Sequence, residues 1–225
     1  MRLKPGAALL FDIDGTLADT DEYHLEAFNH VFGPHGHAFD RLRFSQELQG
    51  FAMADIAERF LGHESPARRI EIMAEKEVVF RRLAGAHIKP IAGLMALLEA
   101  AREGRIPMAA VTNAPRANAE MVLSGLGIAD RFQALIIGDE LEHGKPHPLP
   151  YQEGLRKVGA IAANSLAFED SRSGIRSATA AGIATIGIAT SLGHEQLVEA
   201  GAVASAASYA DAIVGRWMEM RLRKP

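Results

Sequence analysis

The run Ala7-Ala8-Leu9-Leu10-Phe11 passes directly into Asp12-Ile13-Asp14-Gly15-Thr16. Five consecutive apolar residues leave no polar face, so the segment reads as a strand covered on both sides, the kind found in parallel sheets flanked by helices. Side chains two apart on a strand point the same way. Asp12 and Asp14 can therefore converge at the strand's carboxyl end, the edge where open parallel α/β sheets take their ligands. Two anions at the end of a buried strand need something to offset them, and a divalent cation or a proton would do so.

The remaining pattern supports a parallel sheet. Short apolar runs at Met108 to Val111, Ala134 to Ile137, Leu166 to Phe168 and Ala184 to Ile188 alternate with amphipathic segments. Glycines 104, 127 and 182 close three of those segments. Strands alternating with helices indicate βαβ units and a doubly covered sheet. Between Asp19 and Ala84 the character differs. Leu25, Phe28 and Phe32 share one helical face after a capping position at Asp19, Thr20 or Asp21. Met53, Ile56, Ala57, Phe60 and Leu61 form an apolar stripe ended by Gly62, and a charged helix follows from Pro66. His35 and His37, two residues apart in or beside the turn Gly33-Pro34-His35-Gly36, suggest a metal pair, but the preferred reading is a solvated turn. The expected division is an α/β core over residues 1–15 and 88–225 with a helical insert over 16–87. The tail Arg221-Leu222-Arg223-Lys224 reads as a solvated helix end.

Bulk properties narrow the function. A chain of 225 residues with a net charge of −4 has no strong positive field for nucleic acid. It has no cysteine, which removes disulfides, thiolate zinc sites and cysteine nucleophiles, and fits a reducing, cytoplasmic setting. No stretch approaches the ~20 apolar residues of a membrane span.

Chemistry collects at strand ends. The first strand offers Asp12 and Asp14, the second Thr112 and Asn113, and the run Leu166 to Phe168 leads into Glu169, Asp170 and Ser171. After Ile137 a loop leads to Gly144-Lys145-Pro146. In a parallel sheet these ends share one edge. Four carboxylates against the single charge of Lys145 leave a strongly anionic site. Two unit charges 4 Å apart interact by about 4 kcal/mol at an effective dielectric near 20, so such a site calls for a cation. All-oxygen donors favour Mg²⁺ over zinc. A metal beside a lysine and neutral donors suits a phosphate dianion, which a carboxylate can attack.

In order, these four segments resemble the motifs of the haloacid dehalogenase superfamily, in its phosphatase-like members with a helical cap inserted after the first motif. The branch is that of β-phosphoglucomutase and phosphoglycolate phosphatase. The resemblance implies a Rossmann-like parallel core with an inserted helical-bundle cap, and an Mg²⁺-dependent phosphomonoester hydrolase acting on a small phosphorylated metabolite. It implies that Asp12 is the nucleophile and that Asp14 protonates the leaving oxygen, then activates water. Thr112 and Asn113 would hold phosphate oxygens and Lys145 would offset charge. Asp12, the Asp14 carbonyl and Asp170 would bind Mg²⁺, with Glu169 direct or through water. A halide leaves without a proton whereas an alkoxide needs one, so Asp14 argues for phosphate esters over dehalogenation. Tyr23, His24 and Lys76 resemble the sugar-phosphate and mutase branch, with His24 and Lys76 as cap contacts to substrate. Gly50-Phe51-Ala52-Met53 lacks the arginine of the mutases and Phe80 replaces their usual tyrosine, which favours hydrolysis over phosphomutase chemistry. A phosphate-binding regulator without turnover is the third alternative, and the intact acids and lysine speak against it.

Overall fold

The computed structural model describes residues 2–49, 51, 53–85 and 87–224. The chain divides into two compact units, Met1–Asp19 with Lys89–Pro225, and Thr20–Ile88.

The first unit is built on six parallel strands: β1 (Leu9–Phe11), β2 (Met108–Thr112), β3 (Ala134–Ile137), β4 (Leu166–Glu169), β5 (Ala184–Ile188) and β6 (Ala204–Ala206). Their order across the sheet is β3-β2-β1-β4-β5-β6, a doubly wound arrangement. Chain progress runs one way from β1 to β3, then reverses from β4 to β6. The switch point lies between β1 and β4, the position at which open α/β sheets bind ligands beyond the strand ends. Phe11 is level with Ala110 on one side and Phe168 on the other. One residue further on, Asp12 donates its main-chain N–H to the Phe168 carbonyl at 3.0 Å.

The apolar run of β1 fills both faces, as its composition requires. Leu10 joins Ala8, Ala109, Val111, Tyr151, Leu155 and Ala178 on one side. The helix Leu149–Lys157 lies close against that face: a Cβ on Gly154 would stand 3.0 Å from Leu10 Cδ2 and 3.2 Å from Val111 Cγ2. Phe11 turns the other way. Its ring stacks on Phe168 at 5.0 Å, and Tyr209 lies 5.1 Å from Phe168. Buried Tyr209 satisfies its hydroxyl by donating to the Thr16 carbonyl at 3.1 Å. The short strand β6 and the helices His194–Glu199 and Ala212–Leu222 complete this unit. The chain's tail is not simply solvated. Leu222 is buried, Arg223 bridges antiparallel to Leu3, and the Lys224 N–H donates to the Arg2 carbonyl at 2.9 Å.

The second unit holds α1 (Asp21–Phe32), α2 (Arg41–Glu47), α3 (Met53–Leu61) and α4 (Pro66–Ala84). Thr20 takes the N-cap position of α1 without a side-chain capping bond. Asp40 caps α2 by accepting from the Arg43 N–H at 2.8 Å, and Ser65 caps α4 with Pro66 in the first turn. The interior is aromatic: Phe32 lies 6.0 Å from Phe60, and Phe39 meets Phe60 edge-on at 5.2 Å. The sequence pattern missed α2, whose only buried residue is Phe44. Among the described residues no helix is long and apolar enough to cross a membrane.

Leu10 is fully enclosed in the sheet's core. Leu10→Ala is expected to lower unfolding free energy by about 2–5 kcal/mol, read by urea denaturation with an unchanged m-value.

Candidate active site

Asp12, Lys145, Glu169 and Asp170 meet at the switch point, all buried. Lys145 Nζ donates to Asp12 Oδ1 and to Glu169 Oε1, each at 2.6 Å. Asp12, Glu169 and Asp170 each offer a carboxylate oxygen within 4.8 Å of the others. Asp14 follows the turn at Ile13 and is less enclosed than Asp12, but its charge is close enough to bear on the Asp12 carboxyl.

The local chain explains the placement. Gly15 adopts φ 73°, in the left-handed region that glycine enters without penalty, and its N–H donates to the Ala18 carbonyl at 2.8 Å. A Cβ there would stand 2.0 Å from Asp170 Oδ2, so no other residue leaves room for that carboxylate. Gly174, in the helix after β4, has the same role: its Cβ would meet Glu169 Oε1 at 1.8 Å.

Lys145 is held by Asn113. The Asn113 carboxamide accepts from the Lys145 N–H at 2.9 Å and donates to the Lys145 carbonyl at 3.0 Å. The amide group expected at the phosphate is thus engaged in fixing the lysine loop. Thr112 Oγ1 accepts from the Ala114 N–H at 2.9 Å, which leaves its own hydroxyl hydrogen to donate elsewhere.

These acids have further partners, of which Thr16 and Ser171 lie in the motif segments and Tyr151 and Ser191 do not. Tyr151 donates its hydroxyl to Glu169 Oε1 at 2.9 Å, and Ser171 donates to Glu169 Oε2 at 3.1 Å. Thr16 donates to Asp170 Oδ1 at 3.3 Å, and Ser191 also bonds Asp170. Ser191, and Thr190 whose hydroxyl donates to the Gly15 carbonyl, come after Ala189 just beyond the end of β5, so the rule that polar residues gather at strand ends would have found them. Tyr151 reaches the site from a helix and carries no such signal.

Electrostatics follow from burial. Burial pushes the Asp12 carboxyl up to about 7; Lys145 pulls it down and Glu169 pushes it up. Burial alone would depress the Lys145 ammonium, but the two carboxylates more than reverse this and hold it charged. Burial, then the Glu169 charge, raises the Tyr151 hydroxyl well above its ordinary value, so it remains a donor. The oxygens of Asp12, Glu169 and Asp170 form a hard donor set suited to a divalent cation.

The other two predicted residues lie in the helical unit. Lys76 is fully buried on α4, with Nζ 2.9 Å from His24 Nδ1, 3.0 Å from Glu77 Oε1 and 4.6 Å above the Phe28 ring. His24 stacks on Phe80 at 3.8 Å. Of the segment Gly50-Phe51-Ala52-Met53, positions 50 and 52 lie outside the described residues.

Comparison with known proteins gives the family of the chain. Residues 9–188 match the family described as haloacid dehalogenase-like hydrolase. The chain is 33% identical over 194 residues to validoxylamine A 7'-phosphate phosphatase of Streptomyces hygroscopicus subsp. limoneus, covering 85% of this chain and 89% of that protein. It is 32% identical over 205 residues to the phosphorylated carbohydrates phosphatase of Thermotoga maritima, covering 88% and 92%. The crystal structure of a mutant of CbbY from Rhodobacter sphaeroides in complex with xylulose-(1,5)bisphosphate superposes with a TM-score of 0.80 at 29% identity, covering 92% of this chain and 95% of that one.

Tyr151→Phe removes one donor from a buried carboxylate, and Lys145→Met removes its counter-charge. At pH 8 without metal, the first is expected to cost about 1.5–3 kcal/mol and the second about 3–5 kcal/mol. Guanidinium unfolding of both variants checks the ranking.

Proposed function

The chain belongs to the haloacid dehalogenase-like hydrolases, and from that membership we propose a phosphatase that cleaves small phosphorylated carbohydrates through a phospho-aspartate on Asp12, with Mg²⁺ as its metal. The observation that carries this reading is the Lys145 ammonium, 2.6 Å from both Asp12 and Glu169 with Asp170 alongside. A phosphate placed there meets a carboxylate nucleophile, a fixed positive charge and a hydroxyl donor from Thr112.

Lys145 favours the ionised Asp12 carboxylate and partly offsets burial, which favours the neutral acid. An Asp12 oxygen attacks phosphorus, and the phosphorus–oxygen bond to the sugar breaks. Asp14 gives its proton to the departing alkoxide. In the second half, Asp14 takes a proton from water, the water oxygen attacks the phosphorus, and the Asp12 carboxylate leaves with inorganic phosphate formed. Mg²⁺ held by Asp12, Asp170 and the Asp14 carbonyl would supply positive charge beside the phosphate oxygens. Glu169 fits a role through water, because both its oxygens already accept from Lys145, Tyr151 and Ser171.

The substrate class rests on the relatives, which are named for validoxylamine A 7'-phosphate and phosphorylated carbohydrates. We read the helical unit as the insert that selects the organic group, with His24 and Lys76 as its contacts. A cytoplasmic setting is part of the same reading.

With Mg²⁺, phosphate release from a panel of sugar phosphates and phosphoglycolate is expected to be abolished by Asp12→Asn and to fall by about 10²–10⁴-fold in Asp14→Asn. EDTA is expected to stop turnover and added Mg²⁺ to restore it. Full activity in Asp12→Asn or in chelator overturns the reading. Isomer formation from β-glucose 1-phosphate in place of free phosphate would establish the phosphomutase alternative instead.

A further inference from the structure

A second convergence of ligating atoms lies wholly within the helical unit and takes no part in the chemistry above. His35 Nδ1 lies 3.4 Å from His63 Nε2 and 3.4 Å from Glu64 Oε1, and His63 Nε2 lies 3.7 Å from the same carboxylate oxygen. As hydrogen bonds these separations are long, beyond the usual N–H···O range of about 2.7–3.2 Å. As edges of a coordination polyhedron the two at 3.4 Å fit, and the third, at 3.7 Å, is only slightly longer. Ligands about 2.0–2.2 Å from a tetrahedral zinc ion stand about 3.3–3.6 Å from one another.

We propose that His35, His63 and Glu64 form a zinc site on the helical unit, with water completing the tetrahedron. Two imidazoles and one carboxylate select zinc over Mg²⁺, which takes oxygen donors. The three residues come from two segments, each backed by a rigid element. His35 ends the 3₁₀ turn Gly33–His35 after α1, and Gly36 closes that turn at φ 81°. His63 and Glu64 follow α3, with the Glu64 N–H donating to the Leu61 carbonyl at 2.8 Å. His37 ties the segments together: its Nε2 lies 2.9 Å from the Phe60 carbonyl, beneath which Phe32 and Phe60 pack. That contact gives His37 a bracing role and leaves His63 as the second imidazole. Side-chain exposure rises from 15% at His35 through 29% at Glu64 to 57% at His63, so the cluster is firm on one side and open to an entering ion on the other.

The test is zinc titration of the full chain by calorimetry in excess Mg²⁺, which occupies the acidic cluster. One equivalent of Zn²⁺ is expected to bind, and Co²⁺ in its place to give the intense visible absorption of four-coordinate geometry. His35→Ala and His63→Ala are each expected to weaken Zn²⁺ binding by about 100-fold or more, while Asp12→Asn retains the equivalent. Unchanged circular dichroism and Mg²⁺-supported phosphate release establish that the histidine variants are folded, and Glu64→Gln serves as a further variant. Zinc bound equally well by both histidine variants, or no zinc bound by the wild type in excess Mg²⁺, overturns the proposal. Because the readout is zinc itself, failure here is distinct from failure of the phosphatase reading.

Discussion

One buried ammonium group organises the carboxyl edge of the sheet. Lys145 brings its charge between Asp12 and Glu169 in a place where water screens almost nothing. Without it, three neighbouring carboxylates would face one another at short range with nothing positive among them. The arrangement also requires the lysine loop to arrive in one position, and the Asn113 carboxamide provides this with a pair of bonds to the lysine's own main chain. Charge and backbone are thereby fixed together, although the two residues are 32 positions apart.

Topology supplies the precision. β1 is paired on both sides, so Asp12 leaves a strand whose neighbours supply Glu169 at the same level and Thr112 one residue further along. The acids meet because strand order reverses between β1 and β4. Positioning of this kind is what phosphoryl transfer asks of a protein, since alignment and charge account for most of its catalysis.

Much of this was legible in the chain. A five-residue apolar run cannot hide one face, so β1 had to lie inside a covered sheet, and polar residues after each apolar run had to share an edge. Other elements left weaker marks. The strand Ala204–Ala206 is three small residues at the sheet's margin, with too little apolar character to stand out. Tyr151 sits on a helix face where an aromatic reads as core, and only the fold reveals that its hydroxyl reaches Glu169. The Asn113 side chain also braces the lysine loop, a task that its place at a strand end does not announce. The spacing of His35 and His37 suggests a metal pair, yet the ligating atoms that meet His35 belong to His63, 28 residues away, and Glu64, which no local pattern announces.

Gly15 and Gly174 matter for what they lack. At each, a single methyl group would occupy space that an Asp170 or Glu169 oxygen now fills. The anionic pocket is therefore bounded by bare main chain as much as by side chains, and its capacity cannot be traded for bulk at those two points. Diversification of such a scaffold toward larger or smaller esters has to proceed through surfaces remote from these glycines, because a side chain at either one would displace a carboxylate.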